Sequence, residues 1–295
     1  MGATFPVFIL ANSDAEVIAR WTGYTGSGRF INSLSKAKSE LTTVTARIVR
    51  FKANPTFSDA IFLAEYSTDA RDYLEAVAYY RECGELSRRD YSYDIFKNTA
   101  NAIWNDLGRF DDVFPAADAV LTAKPANATN IIWTAKSMAR LARRKHQTGK
   151  IAKYLSAGVE AARQSQNQRD AQNLVDLEAD YTLYADRDTS TALNIKRSSL
   201  GDGWANKPDQ YYDFSKWCAE RRINLQEAEY YARKAIKFAQ GDEFRAQVLD
   251  TLAEIVYAKG EAAEAISIME EVIQLNPEEE SYFEKLRDYK NGSIR

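Results

Sequence analysis

The chain has 295 residues, 45% hydrophobic and 27% charged, with a formal net charge of −3. That is the composition of a globular protein with a sizeable core, and it excludes a global basic field that would draw in nucleic acid or acidic lipid. Only 13 Gly and 6 Pro are present, which argues for long regular elements and few loops, helices rather than a sandwich or barrel.

The first residues read as strand, turn, strand, helix. "TFPVFIL" is β-rich, "ANSDAE" is turn chemistry, and "VIARWTGY" puts Val17, Ala19 and Trp21 on one face of a second strand. Strands are expected over residues 5–10 and 16–22. "SGRFINSLSKA" then places Phe30, Leu34 and Ala37 on one side of a helix, with Ser27 as its N-cap. The apolar run "FPVFILA" has no basic flank; it is too short for a membrane span and poorly shaped for a signal peptide. A cytoplasmic location is expected if Met1 is the natural start, and an extracytoplasmic one is open if it is not.

From residue 42 onward the pattern is helical. In 94–125, Ala100, Ile103, Trp104 and Leu107 form one apolar face, Gly108 makes a turn, Val113, Ala117, Val120 and Leu121 form a second face, and Pro125 closes the unit. In 246–277, Leu249, Leu252, Ala253 and Val256, then Gly260, then Ala265, Met269, Val272 and Ile273, then Pro277 repeat it. Glycine to proline is 17 residues in both, 108 to 125 and 260 to 277. Weaker copies surround Gly149 (with Tyr154, Gly158 and Ala161), Ala228–Ala232–Ala235 and Tyr73–Val77–Tyr80. These hairpins resemble the tetratricopeptide repeat. Ala253 and Ala265 occupy its small packing positions, whereas Asn101 and Val113 depart from it. The expected fold is mainly α: a helical-hairpin solenoid of about twelve antiparallel helices over 42–290, without strands, preceded by a small β-hairpin and helix. The expected divisions are 1–41, a first helical block 42–186, a connection 187–210 broken by Gly201, Gly203 and Pro208, and a second block 211–295. Trp204 is expected to pin the connection to the second block. Trp104, Trp133 and Trp217 read as core.

The opening residues resemble the C-terminal half of a thioredoxin fold, in which a cis-proline begins the fourth strand, and Pro6 takes that place. Gly203-Trp204, Trp217-Cys218, Asn224-Leu225 with Glu227-Ala228, and Asp250-Thr251-Leu252-Ala253 are similar to the helical tail of bacterial thioredoxin-like proteins with tetratricopeptide repeats. That family's nucleophile belongs to a CxxC on the first half of the fold. Cys83 and Cys218 lie about 135 residues apart in the helical body, and neither neighbours another cysteine. No thiol–disulfide chemistry is therefore expected of this chain.

No Cys/His set suggests zinc. The single histidine, His146, sits in "ARRKHQTG", which reads as a solvated helix end. No metal, cofactor or catalytic residue is expected. Asp176, Glu178 and Asp180 read as surface acids. Arg140, Arg143, Arg144 and Lys145 form a basic patch without aromatic interleaving, so nucleic acid is not expected, nor is a membrane.

The function these features point to is a non-catalytic protein–protein interaction scaffold. Its groove for a protein or peptide would use Asn98, Ala102, Asn105, Asp250 and Glu254. The alternative is a fragment or subunit of a thioredoxin-like oxidoreductase. A two-stranded hairpin is marginal alone. It would be completed either by a second subunit, giving a homodimer, or by the chain's own helices around residues 43–66. The dimer is preferred because helices offer an edge strand no backbone partners.

Overall fold

The computed structural model describes residues 6–24, 26–201, 203–204 and 207–292. Phe5, and with it the Phe5–Pro6 peptide, lies outside the described residues. Strands β1 (Val7–Ala11) and β2 (Val17–Thr22) are followed by α1 (Ser27–Ser39), α2 (Val44–Ala53), α3 (Phe57–Ala70), α4 (Tyr73–Ser87), α5 (Ser92–Trp104), α6 (Phe114–Thr122), α7 (Ala128–Arg144), α8 (Ala152–Gln164), α9 (Gln168–Gln172) and α10 (Leu174–Tyr184). Then come α11 (Thr189–Ser198), α12 (Pro208–Arg221), α13 (Leu225–Phe238), α14 (Asp242–Ala258), α15 (Ala262–Leu275) and α16 (Glu280–Asn291). The chain divides into two compact units, Ala3–Ala185 and one built on Asp186–Arg295. Among the described residues of 42–290 every regular element is helical, as expected.

The hairpins are α3–α4, α5–α6 and α7–α8 in the first unit, and α12–α13 and α14–α15 in the second. The first helix of each ends in the same way. A left-handed residue follows it at Arg71, Asp106, His146, Arg222 and Gly260 (φ +52 to +92°). The next amide then reaches back five residues to a carbonyl: Asp72 to Ser67, Leu107 to Ala102, Gln147 to Ala142, Ile223 to Cys218 and Glu261 to Val256. This closure satisfies carbonyls that the helix end would otherwise strand, and it turns the chain sharply into the second helix.

Four of these left-handed residues are not glycine, and that corrects two expectations. In 94–125 the turn is made by Asp106 and not by Gly108, because the closing bond to Ala102 fixes position 106 as the left-handed one. Leu107, expected in the apolar face, donates that bond and is 52% exposed. His146 is the corresponding left-handed residue after α7, at φ +53°.

The core of the first unit gathers Phe96, Ile103, Val113, Val120, Ile132, Met138, Tyr154 and Leu155 from α5 to α8. In the second unit Tyr211, Ala235 and Val248 are buried, and Trp204 packs 4.8 Å from the Tyr231 ring and 5.9 Å from the Tyr211 ring. The stretch 187–210 is not simply a break. Asp188 caps α11 by accepting the Thr191 amide at 2.9 Å, and Ala192 is fully buried.

In the N-terminal sheet β1 and β2 are antiparallel, with Phe8 opposite Trp21 and Leu10 opposite Ala19. Phe30 of α1 covers that face, its ring 4.9 Å from Phe8 and 5.9 Å from Trp21. Ser27 is the first helical residue and not the cap; Gly26, at φ +114°, precedes it without a side-chain cap. The hairpin rests on its own chain through β2, which packs against α2 and α3.

Candidate functional site

Three places in the fold bring polar or aromatic groups together. The first is a cavity of about 550 Å³ under the hairpin, lined by Arg20 and Trp21 of β2, Lys36 of α1, Glu65 and Asp69 of α3, and Lys97 of α5. Its charges are largely paired. Lys36 meets Glu65 at 2.9 Å, Arg20 donates to the Asp69 carbonyl, and Thr22 Oγ1 donates to Asp69 Oδ1 at 3.3 Å. Desolvation raises the Asp69 carboxyl above its usual range. The wall beyond is an ion network. Asp59, with 1% of its side chain exposed, receives Arg47 Nη1 at 3.1 Å and Arg50 Nε at 2.7 Å. Arg47 also lies 4.0 Å over the Phe62 ring. The Arg50 hydrogen bonds hold Asp59 below the ordinary carboxylate range.

The second is the outer side of α7. A helix turns 100° per residue, so Ile132, Ala135, Met138, Ala139 and Ala142 share one side, and all are buried. Trp133, Lys136, Arg140 and Arg144 share the opposite side. The guanidinium carbons of Arg140 and Arg144 lie 4.3 and 4.5 Å from the centroid of Trp104, at the end of α5. Lys136 Nζ lies 4.8 Å from Trp133, whose side chain is 45% exposed. Asp106 anchors the far end, bonded to Lys145 and 3.6 Å from Arg144. The Lys145 hydrogen bond lowers its carboxyl.

This geometry overturns two expectations. Trp217 is core at 4% exposure, whereas Trp133 is not, because α7 turns position 133 away from its buried side. The basic cluster does have interleaved aromatics, supplied partly by α5. The 133–136–140–144 spacing was legible; the approach of Trp104 depends on how two helices pack and leaves no mark in either segment.

The third place is on α14. Lys285 of α16 bonds Asp250 at 2.6 Å and stands 3.7 Å from Glu254. Desolvation pushes the Glu254 carboxyl up, Lys285 pulls it back, and Asp250 and Glu220 push it up again. Burial alone would lower the Lys285 ammonium, but Asp250 and Glu254 more than offset this and hold it above its usual value.

The five expected groove residues thus separate. Asp250 and Glu254 converge on one lysine. Asn105 is exposed and donates Nδ2 to the Asn101 carbonyl at 2.7 Å. Asn98 and Ala102 are buried at 0% and 1% and face inward. Asn98 ties α5 to α3, accepting from Thr68 Oγ1 at 3.1 Å, which removes it from any open surface. Both cysteines are buried and free; burial raises the Cys83 thiol to about 11 and the Cys218 thiol to about 12. Among the described residues no group of His, Cys, Asp and Glu is placed to hold a metal ion, and no helix is long and apolar enough to cross a membrane.

No family model matches the sequence, and no curated protein matches it significantly. Among solved structures, the TPR2AB domain of yeast Sti1 in its complex with pHSP90 aligns at 15% identity over 80% of this chain and 96% of that one, with a TM-score of 0.31. The TPR domain of P58(IPK) aligns at 14% identity over 90% of this chain and 71% of that one, with a TM-score of 0.29. The fold class rests on the hairpins themselves: a mainly α chain of tetratricopeptide-like helical hairpins with a small N-terminal two-stranded sheet.

Proposed function

We propose that the chain is a non-catalytic protein-binding scaffold, and that the outer side of α7 with the end of α5 takes an acidic segment of a partner protein. The observation that carries this reading is the Trp104–Arg140–Arg144 stack beside the exposed Trp133. Aromatic and arginine side chains held on a rigid helix are the residue types that dominate binding energy at interfaces. Cations stacked on a ring present charge beside apolar surface, and an acidic segment would compete with the Asp106 carboxylate, 3.6 Å from Arg144, for it. The hairpin and α1 keep the strand–turn–strand–helix order behind the thioredoxin resemblance, and that relationship stays part of the proposal. An oxidoreductase role gains nothing from the chain's own thiols, both buried and both raised in pKa.

Calorimetric titration with a synthetic peptide alternating Glu with Leu and Phe tests the reading. Micromolar binding that weakens with salt is expected. Trp133→Ala should weaken it by about tenfold or more, while lowering folding stability by no more than about 1–2 kcal/mol, the loss of a half-buried ring and its Lys136 contact. No heat of binding at low salt would refute the proposal. Tighter binding of a single-stranded oligonucleotide than of the peptide would replace the acidic partner by nucleic acid.

A further inference from the structure

The outer edge of β1 has a feature that the scaffold reading does not use. The Gly23 amide donates to the Pro6 carbonyl at 2.8 Å, and the Asn12 amide donates to the Glu16 carbonyl at 3.0 Å. In an antiparallel pair, residues alternate between those that exchange hydrogen bonds with the neighbour and those that point away. Positions 6 and 12 face β2, so Phe8 and Leu10 do too. Val7, Ile9 and Ala11 then direct their N–H and C=O groups outward. The irregularity near Leu10 and Ala11 leaves this parity intact, since Ala11 pairs with Val17 and Ile18 is the extra residue on β2. Among the described residues the sheet ends at β1, and no backbone group pairs with its outer edge.

Edge strands are commonly blunted by a charge or a proline. β1, Val-Phe-Ile-Leu-Ala, carries neither within its span. Ile9 is 59% exposed.

We propose that β1 pairs antiparallel with β1 of a second copy about a two-fold axis at Ile9, joining two hairpins into one four-stranded sheet. The occupant follows from self-complementarity. With Ile9 opposite Ile9, Val7 falls opposite Ala11, and each outward residue exchanges its backbone pair with its counterpart. On the other face Phe8 comes beside the second copy's Leu10, extending the Phe8–Trp21–Phe30 aromatic cluster across the axis. Every side chain brought together is apolar, and no like charges meet. Such a pair is isologous, the same patch used twice. The contact is short, so the dimer is weak and forms in the micromolar range, below the area of a permanent interface.

Sedimentation of the full chain over a range of concentrations should show a reversible monomer–dimer equilibrium. Amide exchange gives a second readout. The Phe8 and Leu10 amides are protected at all concentrations, whereas Val7, Ile9 and Ala11 gain protection only as the dimer forms. Ile9→Pro removes one outward N–H without touching the β1–β2 ladder, and it should weaken the dimer by about tenfold or more. Ile9→Lys and Ile9→Glu should each be monomeric, and mixing the two should restore a dimer, because position 9 lies opposite itself. A wild-type chain that stays monomeric at hundreds of micromolar overturns the proposal. So does a dimer that Ile9→Pro leaves as tight as before, or a Lys/Glu mixture that fails to recover.

Discussion

Substitution of Gly158 by alanine sets two familiar effects against each other. Gly158 lies inside α8, where alanine is favoured over glycine by about 1 kcal/mol. A Cβ there would stand 2.5 Å from the Ala135 Cβ of α7 and 3.4 and 3.5 Å from the Leu177 methyls of α10. Carbon atoms pack at roughly 3.5–4.0 Å, so α8 would have to withdraw from α7 by about 1 Å or more. Neither methyl can rotate aside, since each is fixed to its backbone. The withdrawal opens a seam lined by Ile132, Met138, Tyr154 and Leu155, all fully buried. Overpacking of this kind costs about 1–3 kcal/mol and sometimes more, and the severity of the contact puts it at the upper end. A net loss of about 2 kcal/mol is expected, read as a lower urea midpoint by circular dichroism. Gly149→Ala, which meets open space, should stay within about 0.5 kcal/mol of wild type. Ala135→Gly added to Gly158→Ala moves the methyl to the other helix and should recover more than about 1 kcal/mol. A Gly158→Ala chain as stable as wild type would refute the contact argument.

Two further outcomes follow from the buried charges and thiols. Cys83 and Cys218, raised to about 11 and about 12, should react with Ellman's reagent only on unfolding, and the chain should show no insulin-reductase activity; prompt reaction of the native protein would contradict this. Asp59→Asn should destabilise the first unit by about 2 kcal/mol near neutral pH, since it leaves buried Arg47 with only the part-exposed Glu40 carboxylate, 2.7 Å away, as its ionic partner. Asp59 is depressed in the folded state, so its contribution is full above the unfolded value of about 3.9 and is lost as pH falls through the lower folded value. The gap between wild type and variant should therefore close in acid, and a gap independent of pH would rule the network out.

Helical periodicity made the hairpins legible, because the 3.6-residue repeat of Leu249, Leu252 and Val256 or of Ala117, Val120 and Leu121 is written locally. The hairpin turns were half legible. Glycine marks the left-handed position only at Gly260; elsewhere Arg71, Asp106, His146 and Arg222 hold it, the closing hydrogen bonds offsetting the steric cost of a side chain. Glycine spacing therefore caught the repeat but misplaced its turn in 94–125. Groove positions fared worst. Asn98 looks like a surface residue by type, yet it is buried and accepts from the partly buried Thr68 of another helix. That contact depends on tertiary packing, as does the Trp104 stack.

The two sides of α7 have an evolutionary consequence. Ile132, Ala135, Met138 and Ala139 settle whether the hairpin packs, while Trp133, Arg140 and Arg144 face away from that core. If the outer side takes a partner as proposed, a change at Trp133, Arg140 or Arg144 would alter what is recognised with little effect on the α7 core residues, and a change on the inner side would do the reverse. Selection can therefore act on recognition and on folding as separate traits within one 17-residue helix. Related chains would be free to diverge in the partner they choose long before they diverge in fold.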